Sequence, residues 1–302
     1  MEKPLADKVA IVTGAGRNIG RAEALALARA GARVVVNSIH NPDDTVELIR
    51  SEGGEAVAIQ CDVSSWAAGE AVVAKALDAY GRVDILINNA GIHNPQRIDT
   101  MTEEHWDSVV NVSLKGYAAT IRFAAPHFIA QRSGVIINTG STSGLGHMTV
   151  ANYAAAKEGV LGLTRSVARD LGQFGVRCNQ IRPINFVSEM ATAVADVGEQ
   201  SRQLGFPSNG QRHFVSRPDT IPTGEHVAAL ALLLCLPETA NISGQDFFIM
   251  GDEVGRFPEP EMICTQFHPG GWTLEALLEP RVLDNLLGNL RNCYVRSGSR
   301  MV

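Results

Sequence analysis

The chain has 302 residues, of which 45% are hydrophobic and 19% are charged, and its formal net charge is −6. This composition supplies enough apolar material for a sizeable core and excludes a disordered chain. Because the net charge is negative and the basic residues are scattered, the sequence predicts no nucleic-acid partner.

The N-terminal segment and the cysteines indicate where the protein works. The N-terminal segment has no apolar run of the signal-peptide kind, and the longest apolar run, residues 227–236, is too short to cross a bilayer. The five cysteines are widely spaced and contain no C-x-x-C pattern. We therefore expect reduced thiols, no metal site and no membrane partner, in a cytoplasmic protein.

Short β-branched runs alternate with alanine-rich segments along most of the chain. The runs predict strands at residues 8–13, 33–37, 56–61, 84–87, 134–139, 176–182 and 246–250. The segments between them predict helices at residues 19–30, 65–79, 104–131, 150–174 and 225–236. This alternation of apolar strands with helices indicates an α/β fold: a doubly wound parallel sheet of about seven strands, with helices on both faces.

Two segments depart from this alternation. Residues 188–222 are rich in glycine, proline, serine and asparagine, which predicts a lid over a binding site. Residues 256–302 carry many large apolar side chains, partly at helical spacing. We therefore expect one α/β domain over residues 1–255 and a C-terminal extension that packs on this domain or on a neighbouring subunit.

A glycine-rich turn, TGAGRNIG, follows the first predicted strand and precedes an alanine-rich helix. Glycines in such a turn let the backbone approach a pyrophosphate at the helix N-terminus. Gly14, Gly16 and Gly20 are spaced one residue wider than the general G-x-G-x-x-G pattern, so that pattern is not met. An ordinary strand–helix turn is the alternative interpretation.

Tyr153 and Lys157 lie one helical turn apart in the segment ANYAAAKEGVLGLTRS. Side chains at this spacing share a helix face, so the phenol and the ammonium can face the same site. A nearby cation favours the phenolate and lowers the tyrosine pKa from about 10 toward the range of a general acid or base. Taken alone, such a pair also arises by chance on solvated helix faces.

Together these motifs resemble the short-chain dehydrogenase/reductase family, over about residues 6–252. Thr13, Gly14 and Gly20 match the family's T-G-x-x-x-G-x-G motif, and Asn18 stands in place of its middle glycine. Asparagine tolerates a positive φ better than other residues with a side chain, so this departure is mild. Further matches follow in the family's order: Asp62 with Val63, the NNAG segment 88–91, Asn111, Ser141, Tyr153 and Lys157.

The resemblance implies a Rossmann fold, a nicotinamide cofactor and a reaction between a carbonyl and an alcohol. Tyr153 would be the general acid or base, Lys157 would lower its pKa and bind the nicotinamide ribose, Ser141 would orient the substrate oxygen, and Asn111 would hold a water. The implied cofactor-binding residues are Thr13, Gly14, Gly16, Arg17, Asn18, Ile19, Gly20, Ser38, Asp62, Val63, Asn89, Ala90, Gly91, Tyr153, Lys157, Pro183, Phe186 and Ser188.

Alternatives remain for two of these catalytic roles. Ser143 could be the working serine, because the spacing from Ser141 to Tyr153 is one residue shorter than is common in the family. Asn111 could instead cap or bridge backbone groups inside its helix. Near the cofactor, Ile184 replaces the glycine that usually follows the proline at position 183.

The choice of cofactor depends on the end of the second strand. NAD enzymes place an acid there to bind the ribose hydroxyls, whereas NADP enzymes place positive charge nearby. This chain has Asn37 and Ser38 at that point, and Arg17 lies in the glycine-rich turn. NADP is therefore favoured and NAD stays open, since Arg17 could also be an ordinary surface arginine.

The favoured function is an NAD(P)-dependent oxidoreductase of a hydrophobic ketone or secondary alcohol. The alternatives are a reductase of a 3-oxoacyl thioester, a non-catalytic nucleotide-binding regulator on the same fold, and an epimerase or dehydratase, which usually carries a larger C-terminal domain. The resemblance also implies a homodimer or homotetramer that pairs through helices 104–131 and 150–174.

Overall fold

The sheet forms the centre of the protein. The computed structural model describes residues 3–185, 220–262 and 264–288. Within these ranges an eight-stranded sheet has the order β3-β2-β1-β4-β5-β6-β7-β8. The strands are Val9–Val12 (β1), Arg33–Ser38 (β2), Ala56–Gln60 (β3), Ile85–Asn88 (β4), Gly134–Thr139 (β5), Val176–Ile184 (β6), Asp246–Met250 (β7) and Glu253–Phe257 (β8).

Strands β1 to β7 pair in parallel, and β8 pairs antiparallel to β7. The predicted doubly wound parallel sheet is therefore confirmed, but the predicted number of about seven strands was one too low. At Gly251, which has a φ of +59°, the chain turns back on itself and lays β8 against the edge of β7. The sequence of β8, EVGRF, has too short an apolar alternation to predict a strand.

Helices cover both faces of the sheet. The α-helices of the described residues are Asn18–Arg29 (α1), Pro42–Ser51 (α2), Trp66–Tyr80 (α3), Glu103–Val110 (α4), Gly116–Gln131 (α5), Ala151–Gly172 (α6) and Gly224–Cys235 (α7), followed in the extension by Leu274–Leu277 (α8) and Pro280–Leu287 (α9). The long helix predicted at 104–131 is interrupted by a π-helical turn, Asn111–Lys115. None of the helices in the described ranges is both long and apolar enough to cross a membrane.

Alternate residues of each central strand face opposite cores. Ala10 and Val12 of β1 belong to the core that also contains Leu27 of α1. Val9 and Ile11 belong to the other core, which contains Phe128 of α5. This alternation follows from the two-residue period of a strand, and it explains why strands covered on both sides read as continuous apolar runs.

The candidate site lies at the carboxyl ends of the central strands. The chain passes from β1 outward to β2 and β3, and then returns to β4 on the other side of β1. In such a sheet, ligands bind beyond the carboxyl ends of the strands where the order reverses. Thr13, Asn89 and Gly140 directly follow β1, β4 and β5, so this edge holds the candidate site.

The predicted domain boundary lies inside β8, because residues 253–257 form one strand across it. In the described part of the extension, Ala276 and Val282 are buried, but Phe267 is 89% and Leu274 is 73% exposed. These large side chains therefore do not show the expected packing on their own subunit. The boundary and the role of the extension stay predictions.

Candidate active site

The glycine-rich turn packs so closely on its neighbours that side chains would collide. A Cβ at Gly14, which has a φ of +65°, would lie 2.8 Å from the Cα of Ala90, and one at Gly20 would lie 2.5 Å from the Nδ2 of Asn89. A Cβ at Gly16 would lie 2.6 Å from the Oγ of Ser38. The turn therefore has no side chain at these three positions, and its backbone lies at the start of α1, where dinucleotide-binding folds hold a pyrophosphate.

Thr13 joins this turn to the NNAG segment. Its hydroxyl oxygen accepts hydrogen bonds from the backbone N–H groups of Asn89 (3.0 Å) and Ala90 (3.1 Å). The Asn89 side chain donates in return to the carbonyls of Thr13 (3.0 Å) and Gly14 (3.3 Å). The two loops therefore form one rigid unit, and Gly91 extends it toward Lys157.

The first residues of α1 take the conformation that the glycine motif requires. Asn18 has a φ of +50°, in the left-handed region that favours glycine and asparagine. Arg17 precedes it in an extended conformation and is exposed, while Ile19 is partly buried against the core. Asn18 thus takes a left-handed conformation at the place where the family has a glycine.

At the end of β2, the polar side chains form hydrogen bonds to nearby backbone carbonyls. The Ser38 hydroxyl donates to the carbonyl of His40 (2.7 Å), and the Asn37 amide donates to the carbonyl of Cys61 (3.1 Å). Beyond β3, Asp62 is exposed and accepts from the N–H of Ser64, while Val63 is buried. No carboxylate stands at the end of β2, as the sequence shows.

Tyr153 and Ser141 form a hydrogen-bonded pair in the interior. The phenol is 5% exposed, and its side chain bonds that of Ser141. The Ser141 hydroxyl also accepts from the N–H of Ser143 (3.1 Å), which holds it at the start of a short 3₁₀ turn, Thr142–Leu145. Of the two candidate serines, Ser141 is therefore the one whose side chain bonds that of Tyr153.

Lys157 is buried beneath this pair. The residue is 2% exposed. Its Nζ donates to the Thr139 carbonyl (2.6 Å) and to the Tyr117 hydroxyl (3.1 Å), and it lies 5.6 Å from the centre of the Tyr153 ring. Burial lowers the pKa of Lys157 to about 7. The ammonium is therefore a titratable group close to neutral pH.

The pKa of Tyr153 differs from the sequence prediction. Burial raises it to about 12, and the hydrogen bond from Ser141 only partly offsets this increase. We expected Lys157 to bring the phenol down toward neutral pH. The structure does not show this lowering, because burial dominates the pKa of both groups and the Lys157 ammonium donates to Thr139 and Tyr117.

Asn111 begins the π-helical turn, and its carbonyl accepts from the N–H of Gly116. Its side chain makes no hydrogen bond to the parts of the chain that the structure describes. Ser113, two residues later, is fully buried instead. Pro183 lies in β6 opposite Ile249, while Phe186, Ser188 and most of the predicted lid lie outside the described residues.

Asn152, a buried polar residue beside the site, was not predicted from the sequence. Asn152 donates to the carbonyls of Asn94 and His105 and accepts from the N–H of Tyr153, so it anchors the start of α6. The ring of His93 packs edge-on against that of Tyr153, with centroids 5.0 Å apart. An asparagine directly before the tyrosine was the available signal.

A second set links the strands beneath the site. Asn88 donates to Asn138 (2.9 Å) and accepts from Thr120 (2.6 Å), and Asn138 donates to Thr164 (2.9 Å). All four side chains are buried. Because buried polar groups are costly unless paired, this chain of bonds fixes β4, β5, α5 and α6 in one arrangement.

Comparison with known proteins agrees with this geometry. The family model described as short chain dehydrogenase matches residues 8–197. A short chain dehydrogenase from Mycobacterium avium has a similar structure, with a TM-score of 0.78 and 32% identity over 96% of this chain and 97% of that one.

Three relatives carry the names of enzymes. A peroxisomal hydratase-dehydrogenase-epimerase from Neurospora crassa is 45% identical over 58% of this chain, but the match spans only 20% of that protein. The 3-oxoacyl-(acyl-carrier-protein) reductase FabG of Staphylococcus aureus is 41% identical over 63% of this chain and 78% of its own. The hydroxyacyl-CoA dehydrogenase ChsB1 of Mycobacterium tuberculosis is 35% identical over 85% of this chain and 82% of its own. The chain therefore belongs to the short-chain dehydrogenases, a family of oxidoreductases that use nicotinamide cofactors.

Proposed function

We propose that this protein interconverts a 3-oxoacyl thioester and the corresponding 3-hydroxyacyl thioester, with NADP(H) as the favoured cofactor and Tyr153 as the proton donor. The observation that carries the catalytic part is the buried hydrogen bond between Ser141 and Tyr153, above the buried Lys157. The substrate class is supported by the names of two relatives, an oxoacyl reductase and a hydroxyacyl dehydrogenase. The hydrophobic ketone favoured from the sequence becomes the second candidate.

The protonation state of Tyr153 suits reduction at neutral pH. With its pKa raised to about 12, the phenol is neutral and can give its proton to a carbonyl oxygen. Ser141 would donate a second hydrogen bond to the same oxygen, where negative charge develops. The nicotinamide supplies the hydride when it is bound. The reverse reaction needs the deprotonated phenol, so it should become faster as the pH rises.

The cofactor would be held by the glycine-rich turn and the NNAG segment. Gly14, Gly16 and Gly20 pack too closely on neighbouring protein atoms to carry a side chain, so only the backbone of the turn is presented at the start of α1. A Cβ on Gly16 would lie 2.6 Å from the Ser38 Oγ, so the turn that carries Arg17 passes close to the end of β2. An exposed cation there, with no carboxylate at the end of β2, supports NADP over NAD.

Arg182 fits the role of a positioning residue for Ser141. Its side chain is 1% exposed, donates to the Ser141 carbonyl (2.7 Å), and pairs with Asp246 (2.7 Å) and Glu158 (3.0 Å). Its guanidinium lies 5.1 Å from the centre of the Phe257 ring in β8. Arg182 therefore links β7, α6 and β8 to the loop that carries the serine.

A substrate panel tests the proposed reaction. We expect the kcat/KM of short and long 3-oxoacyl-CoA esters to exceed that of a cyclic ketone of similar apolar area by about tenfold or more. The reason is that each hydrogen bond between the protein and the thioester substrate is worth roughly 0.5–1.5 kcal/mol. At saturating cofactor, the reduction rate should be nearly constant between about pH 6 and 8 because Tyr153 stays protonated, while oxidation should accelerate toward high pH. Preferential turnover of the cyclic ketone would overturn the thioester assignment and return the hydrophobic ketone to first place.

Titration with both cofactors tests the NADP preference. NADPH should bind about tenfold or more tightly than NADH, since a hydrogen bond to a charged group is worth roughly 1.5–3 kcal/mol. Ser38→Asp should reverse the preference, because a carboxylate there repels the 2′-phosphate and binds the ribose hydroxyls. Ser51→Asp, at the exposed end of α2, adds the same charge as a control. Equal affinities in the wild type would refute the assignment.

The role of Arg182 is tested by two lysine variants of β6. Arg182→Lys keeps a cation beside Asp246 but shortens the reach to the Ser141 carbonyl, so kcat should fall about tenfold while cofactor affinity stays unchanged. Arg177→Lys is the matched control, because Arg177 bonds the carbonyls of Leu234 and Ile242, away from Ser141. If both variants lower the melting temperature by the same amount and neither lowers kcat, Arg182 has a structural role only.

A further inference from the structure

Helix α1 carries a carboxyl group in surroundings that do not suit a charge. Glu23, in the second turn of α1, is 1% exposed, and neither of its carboxyl oxygens has a hydrogen-bond partner among the described residues. We propose that Glu23 positions α1, and with it the glycine-rich turn, only as an uncharged carboxylic acid, so that its ionisation in mildly alkaline solution loosens the helix and weakens cofactor binding. The part that concerns the cofactor rests on the proposed function, in which that turn holds the pyrophosphate.

The helix face that carries Glu23 is directed into the protein. Side chains three and four residues apart share a helix face, so Glu23 shares its face with the buried Gly20 and Leu27. Leu27 belongs to the apolar core that α1 and α7 form with the sheet. A Cβ at Gly20 would lie 2.5 Å from the Nδ2 of Asn89. Glu23 is therefore buried one helical turn beyond the glycine-rich turn, on the side of α1 that packs on the sheet.

The two arginines of α1 are engaged away from Glu23. Arg21 donates to the Thr45 hydroxyl (3.1 Å) and to a backbone carbonyl of the glycine-rich turn. Arg29 pairs with Glu52 at the surface (2.7 Å). Within the described ranges, Glu23 therefore has neither an ion pair nor a hydrogen bond to offset the loss of hydration of a carboxylate.

The strands and the helix α2 that pack on α1 supply no compensating charge. Strand β1 is entirely apolar, and the charged side chains of α2 are all exposed. The charged residue of β2 is Arg33, at its start, and the guanidinium lies over the ring of Tyr80, 5.1 Å from its centre. These elements thus present apolar side chains or backbone to the buried face of α1.

Helix α7 supplies a thiol and no cation to this core. Of its titratable groups, Cys235 is buried, whereas Glu225 and His226 in its first turn are not. The phenol of Tyr117 also lies within electrostatic reach. A negative charge on Glu23 raises the pKa of both the Cys235 thiol and the Tyr117 phenol, after the larger effect of burial. Both neighbours are therefore neutral at neutral pH and cannot stabilise a carboxylate.

Burial changes the pH at which this carboxyl ionises. It raises the pKa of Glu23 from its ordinary value of 4.5 to about 8. Between these two values the folded protein holds a proton that the unfolded chain releases. The stability that this proton confers is therefore complete below about pH 4.5 and is lost as the pH rises to about 8. Above that pH, the folded protein must either bury a charge or move Glu23 toward water.

A displacement of Glu23 would reach the glycine-rich turn because α1 is tightly packed at its start. A Cβ on Gly224, the first residue of α7, would lie 3.2 Å from the Cα of Ile19 and 3.2 Å from the Cβ of Ala22. Close-packed interiors transmit such displacements because they contain few voids. Outward movement of Glu23 should therefore disturb the turn and open the core that contains Cys235.

The first experiment compares urea unfolding of the wild type and Glu23→Gln from pH 5 to 9, without cofactor. Glutamine has nearly the same shape and cannot ionise, so the difference between the two proteins isolates this carboxyl. The unfolding equilibrium constant of the wild type, relative to that of Glu23→Gln, should increase by up to about tenfold per pH unit between about pH 5 and 8, the effect of one proton. The same pH dependence in both proteins would overturn the proposal.

Two further variants complete this comparison. Glu47→Gln removes an exposed carboxylate of α2 and should keep the wild-type pH dependence. Glu23→Leu places an apolar side chain in the same core, so it should resemble Glu23→Gln in being more stable than the wild type at pH 8. Lower stability of both Glu23 variants at that pH would show that the carboxyl has a stabilising partner, which would also overturn the proposal.

Thiol labelling locates the opening without any cofactor. Cys235 lies in the core that α1 covers, whereas Cys178 is buried on the other face of the sheet. When the pH rises from 7 to 9, the ratio of iodoacetamide labelling at Cys235 to that at Cys178 should increase about fivefold to tenfold more in the wild type than in Glu23→Gln, following the ionised fraction of Glu23. An equal change in both proteins would refute a local loosening of α1.

NADPH titration tests the link to the cofactor. At pH 9, Glu23→Gln should bind NADPH about fivefold to tenfold more tightly than the wild type, and at pH 6 the two should bind equally. Equal affinities at both pH values would refute the coupling of Glu23 to the glycine-rich turn. If neither protein binds a nicotinamide cofactor, the proposed function fails instead, and the unfolding and labelling experiments still decide the role of Glu23.

Discussion

The arrangement of the site depends on the burial of Lys157. An ammonium taken out of water loses its hydration, and it remains charged only if the protein supplies acceptors. Here the acceptors come from two different elements, the Thr139 carbonyl at the end of β5 and the Tyr117 hydroxyl on α5. The end of β5, the start of α5 and the first turns of α6 must therefore keep their relative positions for the lysine to be held.

The buried amide and hydroxyl bonds beneath the site provide this constraint. Asn88 and Asn138 join β4 to β5, and Thr120 and Thr164 join the same asparagines to α5 and α6. Thr13 and Asn89 then join β4 to the glycine-rich turn. The catalytic side and the cofactor side are thus connected through one strand, β4.

Much of the fold and part of the candidate site could be predicted from the sequence, because strand and helix patterns and the Tyr-x-x-x-Lys spacing depend on residues that are close together in the chain. The continuous apolar strands and the Ala-rich helices predict the sheet, and the spacing of Tyr153 and Lys157 predicts their shared face. The partners of Lys157 and of Ser141 could not be predicted. Tyr117 and Arg182 are distant in sequence from the residues they hold, and only the packing of the strands brings them together. The tyrosine pKa also depends on burial, which a motif does not contain.

The most direct test of the account is the rate of hydride transfer in Tyr153→Phe. The variant removes one oxygen and keeps the ring, so NADPH should bind within about twofold of the wild type, as measured by fluorescence titration. The single-turnover rate with the substrate that the panel identifies should fall by roughly a hundredfold to ten-thousandfold, the usual contribution of a general acid. A variant that transfers hydride at the wild-type rate would contradict the assignment of Tyr153 as the proton donor.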